Sequence, residues 1–268
     1  MTTYTHGHAE AVLRSHRWRT AANSAGHLLP HLREGQRLLD VGSGTGTITA
    51  DLTRAVGESG EVVALEVTEE AAALTRAELE RQGIGWARAV VGDVHALDLD
   101  ALGGPFDVVH AHQVLQHVAD PVGALREMLR VTRPGGLVAA RDSDYGRFAW
   151  HPAPAGLDRW LELYTAAARA NGGEPDAGRR LLAWAHAAGA DDVEAGSSTW
   201  CFATPEDRAW WAGLWADRIT STALASQLLA EGRASEAELA EVADAWRAWA
   251  ADPDGWFSVL HGEILVRA

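Results

Sequence analysis

Short apolar runs alternate with helical patterns in the first half of the chain, between about residues 37 and 142. Apolar residues recur with helical spacing at 47–56, 69–82 and 121–131, and an Arg-Pro-Gly-Gly turn occupies 133–136. Buried strands are predicted at 37–42, 61–67, 87–93, 106–111 and 137–142. This alternation predicts an α/β fold, with a parallel sheet that carries helices on both faces. Ligands bind such sheets beyond the carboxyl ends of the strands.

The second half of the chain is dominated by helical spacing and tryptophan. Helices are predicted at 156–170 and 179–188, and strands at 193–203 and 256–266. The helical segment at 205–251, which we expect to form a cap, lies between those two strands. It contains Trp210, Trp211, Trp215, Trp246 and Trp249. These rings either pack the helices together or line an apolar or aromatic substrate pocket, and both interpretations can hold for different residues.

Composition and charge narrow the function. The chain has 37 acidic residues against 23 lysine or arginine residues, all of them arginine, and a net charge of −14. Because affinity for a nucleic-acid backbone comes largely from cationic side chains, we expect no nucleic-acid partner. The lack of lysine excludes Schiff-base chemistry, and the single Cys201 excludes an intramolecular disulfide. No apolar run reaches the ~20 residues of a membrane helix, and no secretory signal is visible, so we expect a cytoplasmic protein without a membrane partner.

A glycine-rich loop follows the first predicted strand. The residues of this predicted site are Asp40, Gly42, Ser43, Gly44 and Gly46. Glycines permit a tight turn and a close approach of the backbone to a ligand. The dinucleotide fingerprint G-x-G-x-x-G needs glycine where the chain has Thr47, which favours S-adenosyl-L-methionine, a ligand without a pyrophosphate. Asp40 would then orient water or the ammonium end of the ligand. The alternative for the loop alone is a structural glycine turn in another α/β fold.

Acidic residues follow the next two predicted strands. Glu66, with Val67 beside it, ends the second strand, where a carboxylate can accept both hydroxyls of a ribose. Asp93 follows the third strand and is placed to accept from an adenine amino group, while Val94 donates its backbone N–H. Three successive strand ends therefore offer contacts to one elongated nucleoside, and this combination is more specific than the loop alone.

Together these segments resemble a known family. LLDVGSGTG, ALEVTEE, VGDVHAL and FDVVHAHQVLQHVADPVGALREMLRVTRPGGLV, within about residues 35–145, are similar to class I methyltransferases of the type 11 group, which includes ubiquinone and menaquinone C-methyltransferases. The resemblance implies a Rossmann-like seven-stranded sheet whose last strand is antiparallel. It implies S-adenosyl-L-methionine as cofactor and S-adenosyl-L-homocysteine as product. It also places Gly42 and Gly44 at the methionine end, with the backbone of Ala111 nearby.

The N-terminal segment adds two candidates. Related enzymes close an N-terminal helix over the cofactor, which implies that residues 1–34 form a helical lid. Arg19 is the candidate partner of the methionine carboxylate because a guanidinium binds a carboxylate through two hydrogen bonds; the alternative is a solvated helix charge. Tyr4 is a further lid candidate. The remaining core is expected at 35–204 and 252–268.

Candidate catalytic residues follow the fourth and fifth strands. Methyl transfer needs a base only if the acceptor must lose a proton. His112 and His117 titrate in the useful range, although His117 also fits a packed helical position. Asp142 and Tyr145 follow the fifth strand, where Asp142 could instead cap a turn. The histidines are scattered without metal-site spacing, so no metal site is predicted.

The sequence thus predicts methyl transfer from S-adenosyl-L-methionine to a small apolar or aromatic metabolite, on oxygen or carbon, by in-line displacement. The alternative is a protein that binds this cofactor without methyl transfer and catalyses a cyclisation or rearrangement, or acts as a scaffold. The expected partner is a small-molecule substrate, and a homodimer is left open.

Overall fold

The computed structural model describes residues 15–268 and contains one eight-stranded sheet. The strands are β1 (Arg37–Val41), β2 (Glu61–Glu66), β3 (Ala87–Val91), β4 (Phe106–His112), β5 (Thr132–Ser143), β6 (Ala149–His151), β7 (Val193–Phe202) and β8 (Trp256–Arg267). The first five are parallel in the order β3-β2-β1-β4-β5. The last strand, β8, is antiparallel to β5, β6 and β7. The predicted mostly parallel sheet with an antiparallel last strand is confirmed, and the three-residue β6 is an addition to the expected seven.

Ten α-helices accompany the sheet from Ala21 onward, and residues 15–17 are also helical. They are α1 (Ala21–Ser24), α2 (Thr47–Val56), α3 (Glu69–Arg81), α4 (Leu99–Leu102), α5 (Pro121–Val131), α6 (Ala155–Ala170), α7 (Leu181–Ala188), α8 (Pro205–Ser221), α9 (Ala223–Ala230) and α10 (Glu236–Ala251). Hydroxyl side chains cap four of them: Thr20, Thr68, Thr204 and Ser235 each accept a hydrogen bond from a backbone N–H in the first turn. Short 3₁₀ turns at Leu115–His117 and Tyr145–Arg147 follow β4 and β5.

Both faces of the sheet are covered, as the unbroken apolar strands require. On one face, alternate residues of the central strands pack against α5 and α7, with Met128 and Leu181 fully buried. On the other face, the intervening residues pack against α1 and α2, with Leu52 and Val56 fully buried. Because the two faces are filled from the same strands, the carboxyl ends of β1 to β4 are held in one row.

Strand β5 differs from its prediction. The structure extends it to Thr132, so that the predicted turn at 133–136 lies inside the strand. Phe106 pairs with Thr132 and Val108 with Leu137, which leaves four residues of β5 looped out between the two pairs. Gly135, with φ of 78°, supplies the positive backbone angle of this bulge.

A second core lies outside the sheet. Helices α8, α9 and α10 occur between β7 and β8, and α6, from the 35–204 segment, packs with them. Trp160 of α6 contacts Trp215 and Trp246, with ring centroids 4.5 and 4.9 Å apart. These edge-to-face contacts bury large apolar areas and hold the helices over the end of the sheet. None of the helices described in residues 15–268 is long and apolar enough to cross a membrane.

Candidate active site

The glycine loop turns tightly at the end of β1. Gly42, Gly44 and Gly46 have φ angles of 69°, 60° and 80°, which strain other residues. Thr75 of α3 braces the loop, because its hydroxyl lies 2.8 Å from the Ser43 hydroxyl and donates to the Gly44 carbonyl at 3.1 Å. On Gly44 a Cβ would meet nothing nearer than His16 Nδ1, at 3.7 Å. The backbone of Gly44 therefore forms an open cradle.

Asp40 supports this loop from behind. It is 2% exposed, and its carboxylate accepts from the Thr49 hydroxyl at 2.6 Å and lies 2.8 Å from His110 Nδ1. Both oxygens are thus used inside the protein, and Asp40 does not line the cavity. The expectation that Asp40 contacts water or the ligand's ammonium end is corrected by this placement: its carboxylate ties β1 to α2 and β4.

The carboxylates after β2 and β3 lie at the rim of the cavity. Glu66 Oε1 accepts from the Gly44 N–H at 2.5 Å, which joins the end of β2 to the cradle. Asp93 Oδ1 accepts from the backbone and ring of His95, both at 2.9 Å. The hydrogen bonds from His95 hold the pKa of Asp93 below its usual value, so that the carboxylate stays ionised. Both acids line the same cavity as Gly44.

The cavity has a volume of about 780 Å³ and two chemically different ends. The end near Glu66 and Asp93 is polar. The other end is walled by rings that we call the aromatic chamber: Trp18, Phe148, Trp200, Trp210, Trp211 and Trp215. Ligand pockets usually measure about 300–1,000 Å³. The volume of this cavity therefore lies in the upper part of the usual range.

The segment at 15–19 closes one side of the chamber. Trp18 packs against Trp200 and Trp210 with centroids 5.2 and 5.3 Å apart. The hydroxyl of Thr47, at the start of α2, donates to the His16 carbonyl at 3.2 Å. Arg19 donates to the side-chain oxygen of Gln113 at 2.7 Å. This segment thus touches the glycine loop, the cap and the end of β4 at once.

The four predicted catalytic residues have different surroundings. Asp142 is fully buried, and its carboxylate accepts from the N–H groups of Leu115 and Gln116 at 3.3 and 3.2 Å. Burial raises the pKa of Asp142 to about 7. Asp142 holds the 3₁₀ turn after β4 and does not line the cavity. It thus caps a turn, although not the turn that follows it in the chain. Tyr145 lines the cavity; burial raises its pKa, and its hydroxyl hydrogen bonds with Tyr164.

The two histidines line the cavity as neutral rings. Burial, reinforced by Arg141, lowers the pKa of His112 well below its usual value. Both ring nitrogens of His112 are buried without a hydrogen-bond partner. Burial lowers the pKa of His117 to about 3, and its Nε2 lies 3.1 Å from the Gln116 amide nitrogen. Neither ring is protonated near neutral pH. The acceptor nitrogen of His117 takes a hydrogen from the Gln116 amide, whereas that of His112 has no hydrogen-bond donor.

The structure brings most of the predicted site residues to one cavity. Those in its wall are Arg19, Gly42, Ser43, Gly44, Glu66, Val67, Asp93, Val94, His112, His117 and Tyr145. Among the predicted residues that the structure describes, those outside the wall are Asp40, Gly46, Ala111 and Asp142. Gly46 instead packs against α3, where a Cβ would lie 3.0 Å from the Thr75 Cα, and Ala111 is buried in β4. Tyr4 lies outside the described residues. Within 15–268, no group of three or more His, Cys, Asp or Glu side chains could hold a metal ion.

An open glycine cradle with carboxylates at the next two strand ends is the site of a nucleoside-binding α/β enzyme. The methyltransferase-domain family profile matches residues 32–194, more than half of the chain. An uncharacterized methyltransferase of Schizosaccharomyces pombe is 34% identical over 273 residues, with 98% of this chain and 96% of the relative covered. The chain belongs to this methyltransferase family. It is an S-adenosyl-L-methionine-dependent enzyme.

Two further comparisons cover different parts of the chain. A ubiquinone/menaquinone biosynthesis C-methyltransferase of Idiomarina loihiensis is 40% identical over 108 residues, which are 40% of this chain and 42% of the relative. The phosphoethanolamine N-methyltransferase 2 of Haemonchus contortus, solved in complex with S-adenosyl-L-methionine, has a TM-score of 0.57 at 15% identity. It covers 97% of this chain and 57% of its own. The first similarity is confined to less than half of each chain, and the second shows the fold.

The residues in the cavity wall fit the cofactor. The open side of Gly44 accommodates a close ligand, and Glu66 and Asp93 offer carboxylate oxygens at consecutive strand ends. When bound, the cofactor supplies a sulfonium methyl group for in-line displacement. The chain's contribution is to orient an acceptor against that methyl, to keep water out with the aromatic chamber, and to hold the loop with Thr75.

Several wall residues were missed by the sequence reasoning. Gln113 and Ser143, at the ends of β4 and β5, link Arg19 to the sheet. Arg218 lies in α8, within a helical pattern that gives no sign of a buried cation. Trp18 is the only tryptophan in the sequence of residues 1–34, so it belongs to no pattern. Only Gln113 carried a usable signal, a polar residue at a strand end next to the predicted His112.

Proposed function

We propose that the enzyme methylates a small apolar or aromatic acceptor on oxygen or carbon. The aromatic chamber, which opens into the same cavity as the cofactor loop, is the observation that carries this proposal. Four of its rings, Trp18, Trp200, Trp210 and Trp211, contact one another or Phe202 with centroids 4.3–6.1 Å apart. Flat apolar molecules pack well against such surfaces.

The charges of the chamber favour an acceptor without a positive charge. Arg218 is 4% exposed in the wall, with its guanidinium 5.0 Å from the Trp215 ring, and Arg19 lies 5.6 Å from Trp200. Three carboxylates are described in the wall. Glu66 ends β2, Asp93 follows β3 and Asp120 precedes α5. Because the buried Arg218 guanidinium opposes a nearby ammonium ion, a hydroxyl or an enolisable carbon suits this end better than an alkylamine.

The proposal is tested with methyl-labelled S-adenosyl-L-methionine and three acceptors: a naphthol, a cyclic β-diketone and a primary alkylamine. We expect label in the naphthol or the diketone and none in the amine. Label in the amine alone would contradict the proposed acceptor class. Cofactor binding without label in any acceptor of a broader metabolite panel would favour the alternative of a protein that does not transfer methyl.

Replacing Trp210 by alanine should raise the KM of the best acceptor about tenfold and leave cofactor affinity unchanged, because the ring supplies apolar contact in the chamber. The matched control is Trp184→Ala, which removes a half-buried tryptophan packed against the sheet core, outside the cavity wall. Steady-state kinetics and calorimetry on both variants measure the effect. Equal acceptor KM values for the two variants would show that the aromatic chamber does not bind the acceptor.

His112 is the residue we propose to hold an acceptor hydroxyl, since both of its ring nitrogens lack partners. Replacing it by phenylalanine should lower kcat/KM for a hydroxyl acceptor about tenfold, the loss of one hydrogen bond of about 1.4 kcal/mol, whereas asparagine should retain part of it. Because the pKa of His112 is already low, kcat should show no inflection near pH 6.5 from this ring. Full activity of the phenylalanine variant would assign His112 a packing role.

A further inference from the structure

Gln113 has an unusual backbone conformation at the edge of the cofactor site. Its φ is 53°, and no other non-glycine residue described in 15–268 has a positive φ. The left-handed region is unfavourable for a residue that carries a side chain. Such strain persists only where the surroundings hold it, and it clusters at functional sites. Here the Gln113 N–H donates to the Arg141 carbonyl at 2.7 Å, which fixes the turn after β4 to β5.

Residues of β5 and β8 set the orientation of the Gln113 side-chain amide. His261 Nδ1 lies 3.0 Å from the Val259 carbonyl, which can only accept, so Nδ1 carries the hydrogen and Nε2 is an acceptor. Gln113 Nε2 is 2.9 Å from His261 Nε2 and donates to the Ser143 hydroxyl at 2.7 Å. Both amide hydrogens are therefore used within the sheet. The amide oxygen must face the opposite way, toward Arg19.

Arg19 is held on two sides by this arrangement. Its Nη2 donates to Gln113 Oε1 at 2.7 Å, and its guanidinium carbon lies 5.6 Å from the centre of the Trp200 ring. Trp200 is itself fixed, because its indole N–H donates to the Asn23 carbonyl at 2.6 Å. A flexible arginine side chain loses considerable rotamer entropy when a ligand orders it. The contacts with Gln113 and Trp200 reduce that loss before the ligand binds.

We propose that Gln113 and His261 are positioning residues that fix the guanidinium of Arg19 for the amino-acid carboxylate of the cofactor. This inference rests on Arg19 as the partner of that carboxylate. His261 acts two contacts away from the ligand: it sets the direction of the Gln113 amide, and the amide sets the position of Arg19. The last strand of the sheet thereby contributes to cofactor affinity through His261, whose side chain does not line the cavity.

The test compares two ligands that differ only in the proposed contact. S-adenosylhomocysteine has the amino-acid end, whereas 5′-methylthioadenosine keeps the adenosine and the thioether and lacks that end. We expect Gln113→Gly and His261→Phe to raise the Kd of S-adenosylhomocysteine about tenfold and to change that of 5′-methylthioadenosine less than twofold. His261→Gln, which keeps an acceptor atom, should recover part of the affinity. Calorimetry on the full chain supplies both values.

Glycine is the informative replacement at position 113 because it adopts a positive φ without strain. Gln113→Gly deletes the amide and relaxes the backbone, so the fold should be preserved while affinity for the amino-acid end falls. The matched control is Ser198→Ala. Ser198 lies on β7 and pairs with His261, and its hydroxyl contacts Arg141 and Glu263. Its removal leaves the contacts of Gln113 unchanged. The ratio of the two Kd values for Ser198→Ala should equal that of the parent.

Three outcomes would overturn the inference, and Arg19→Ala separates them. If Arg19→Ala changes the ratio of the two Kd values and Gln113→Gly does not, the positioning role is wrong. If the Gln113 and His261 variants weaken both ligands equally, the residues are structural. If Arg19→Ala also leaves the ratio unchanged, the assignment of Arg19 falls and this inference falls with it. None of these results alters the label-transfer test of the acceptor, so failure here is distinct from failure of the proposed function.

Discussion

Replacing Glu66 by alanine is expected to raise the Kd of S-adenosyl-L-methionine at least about 100-fold. A carboxylate that accepts from two ribose hydroxyls makes two charge-assisted hydrogen bonds, each about 1.5–3 kcal/mol, and every 1.4 kcal/mol is a factor of ten in Kd. The variant also loses the bond between Glu66 and the Gly44 N–H, which joins β2 to the cradle. Calorimetry with the cofactor and with S-adenosylhomocysteine measures the loss.

The ribose contact and the loop contact can be separated. An S-adenosylhomocysteine analogue without the ribose 2′-hydroxyl should bind the parent more weakly than the complete ligand, whereas Glu66→Ala should bind both equally. Glu70→Ala, an exposed acid four residues further on in α3, is the matched control and should bind like the parent. If Glu66→Ala still distinguishes the two ligands, Glu66 braces the loop without contacting the ribose.

The regular part of this fold could be predicted because its signals are local. The strands β1, β2 and β4 each contain a short apolar run, and α2 and α5 have the predicted bounds of 47–56 and 121–131. The bulge of β5 could not be predicted, since an Arg-Pro-Gly-Gly sequence reads as a turn whether or not pairing resumes on both sides. Short elements such as β6 and α4 bury too few residues to produce a recognisable hydrophobic periodicity in the sequence.

The site was predictable where the topology fixes it. Glu66 and Asp93 are placed by strand ends, so a sequence that shows the strands also places these carboxylates. Asp40 also lies near the end of a strand, but its side chain points into the protein. His110, which pairs with it on β4, hydrogen bonds with its carboxylate. Pairing of that kind, like the contact of Gln113 with His261, joins residues distant in the chain and leaves no local pattern.

Acidification to pH 5 is expected to destabilise the protein through its buried neutral histidines. Burial, the larger effect, together with neighbouring positive groups, lowers the pKa of His27 and of His117 to about 3. In the unfolded chain these rings titrate near 6.5, so between pH 6.5 and 3 the unfolded state binds more protons and stability falls as pH falls. Each ring then costs about 2 kcal/mol at pH 5.

Other buried groups change the total in both directions. The pKa values of His112 and His261 are also lowered by burial, so these rings add to the loss. Asp142 acts in the opposite sense: its pKa is raised to about 7, so between its unfolded value and pH 7 the folded state binds the extra proton. That stabilises the fold at pH 5 by about 2.5 kcal/mol relative to pH 7.5, which offsets part of the histidine effect. A net loss therefore remains, because His112 and His261 add to the roughly 1.5 kcal/mol left by His27, His117 and Asp142.

His27→Gln isolates one of these contributions. Denaturant unfolding at pH 7.5 and pH 5 should show a loss about 2 kcal/mol smaller for this variant than for the parent, because glutamine does not titrate. His151→Gln, at an exposed position, should show the loss of the parent. The Glu263 carboxylate lies 3.8 Å from His27 Nδ1 and favours the protonated ring. If that attraction outweighs burial, His27→Gln and the parent will lose the same stability, and the buried ring will have been protonated without cost.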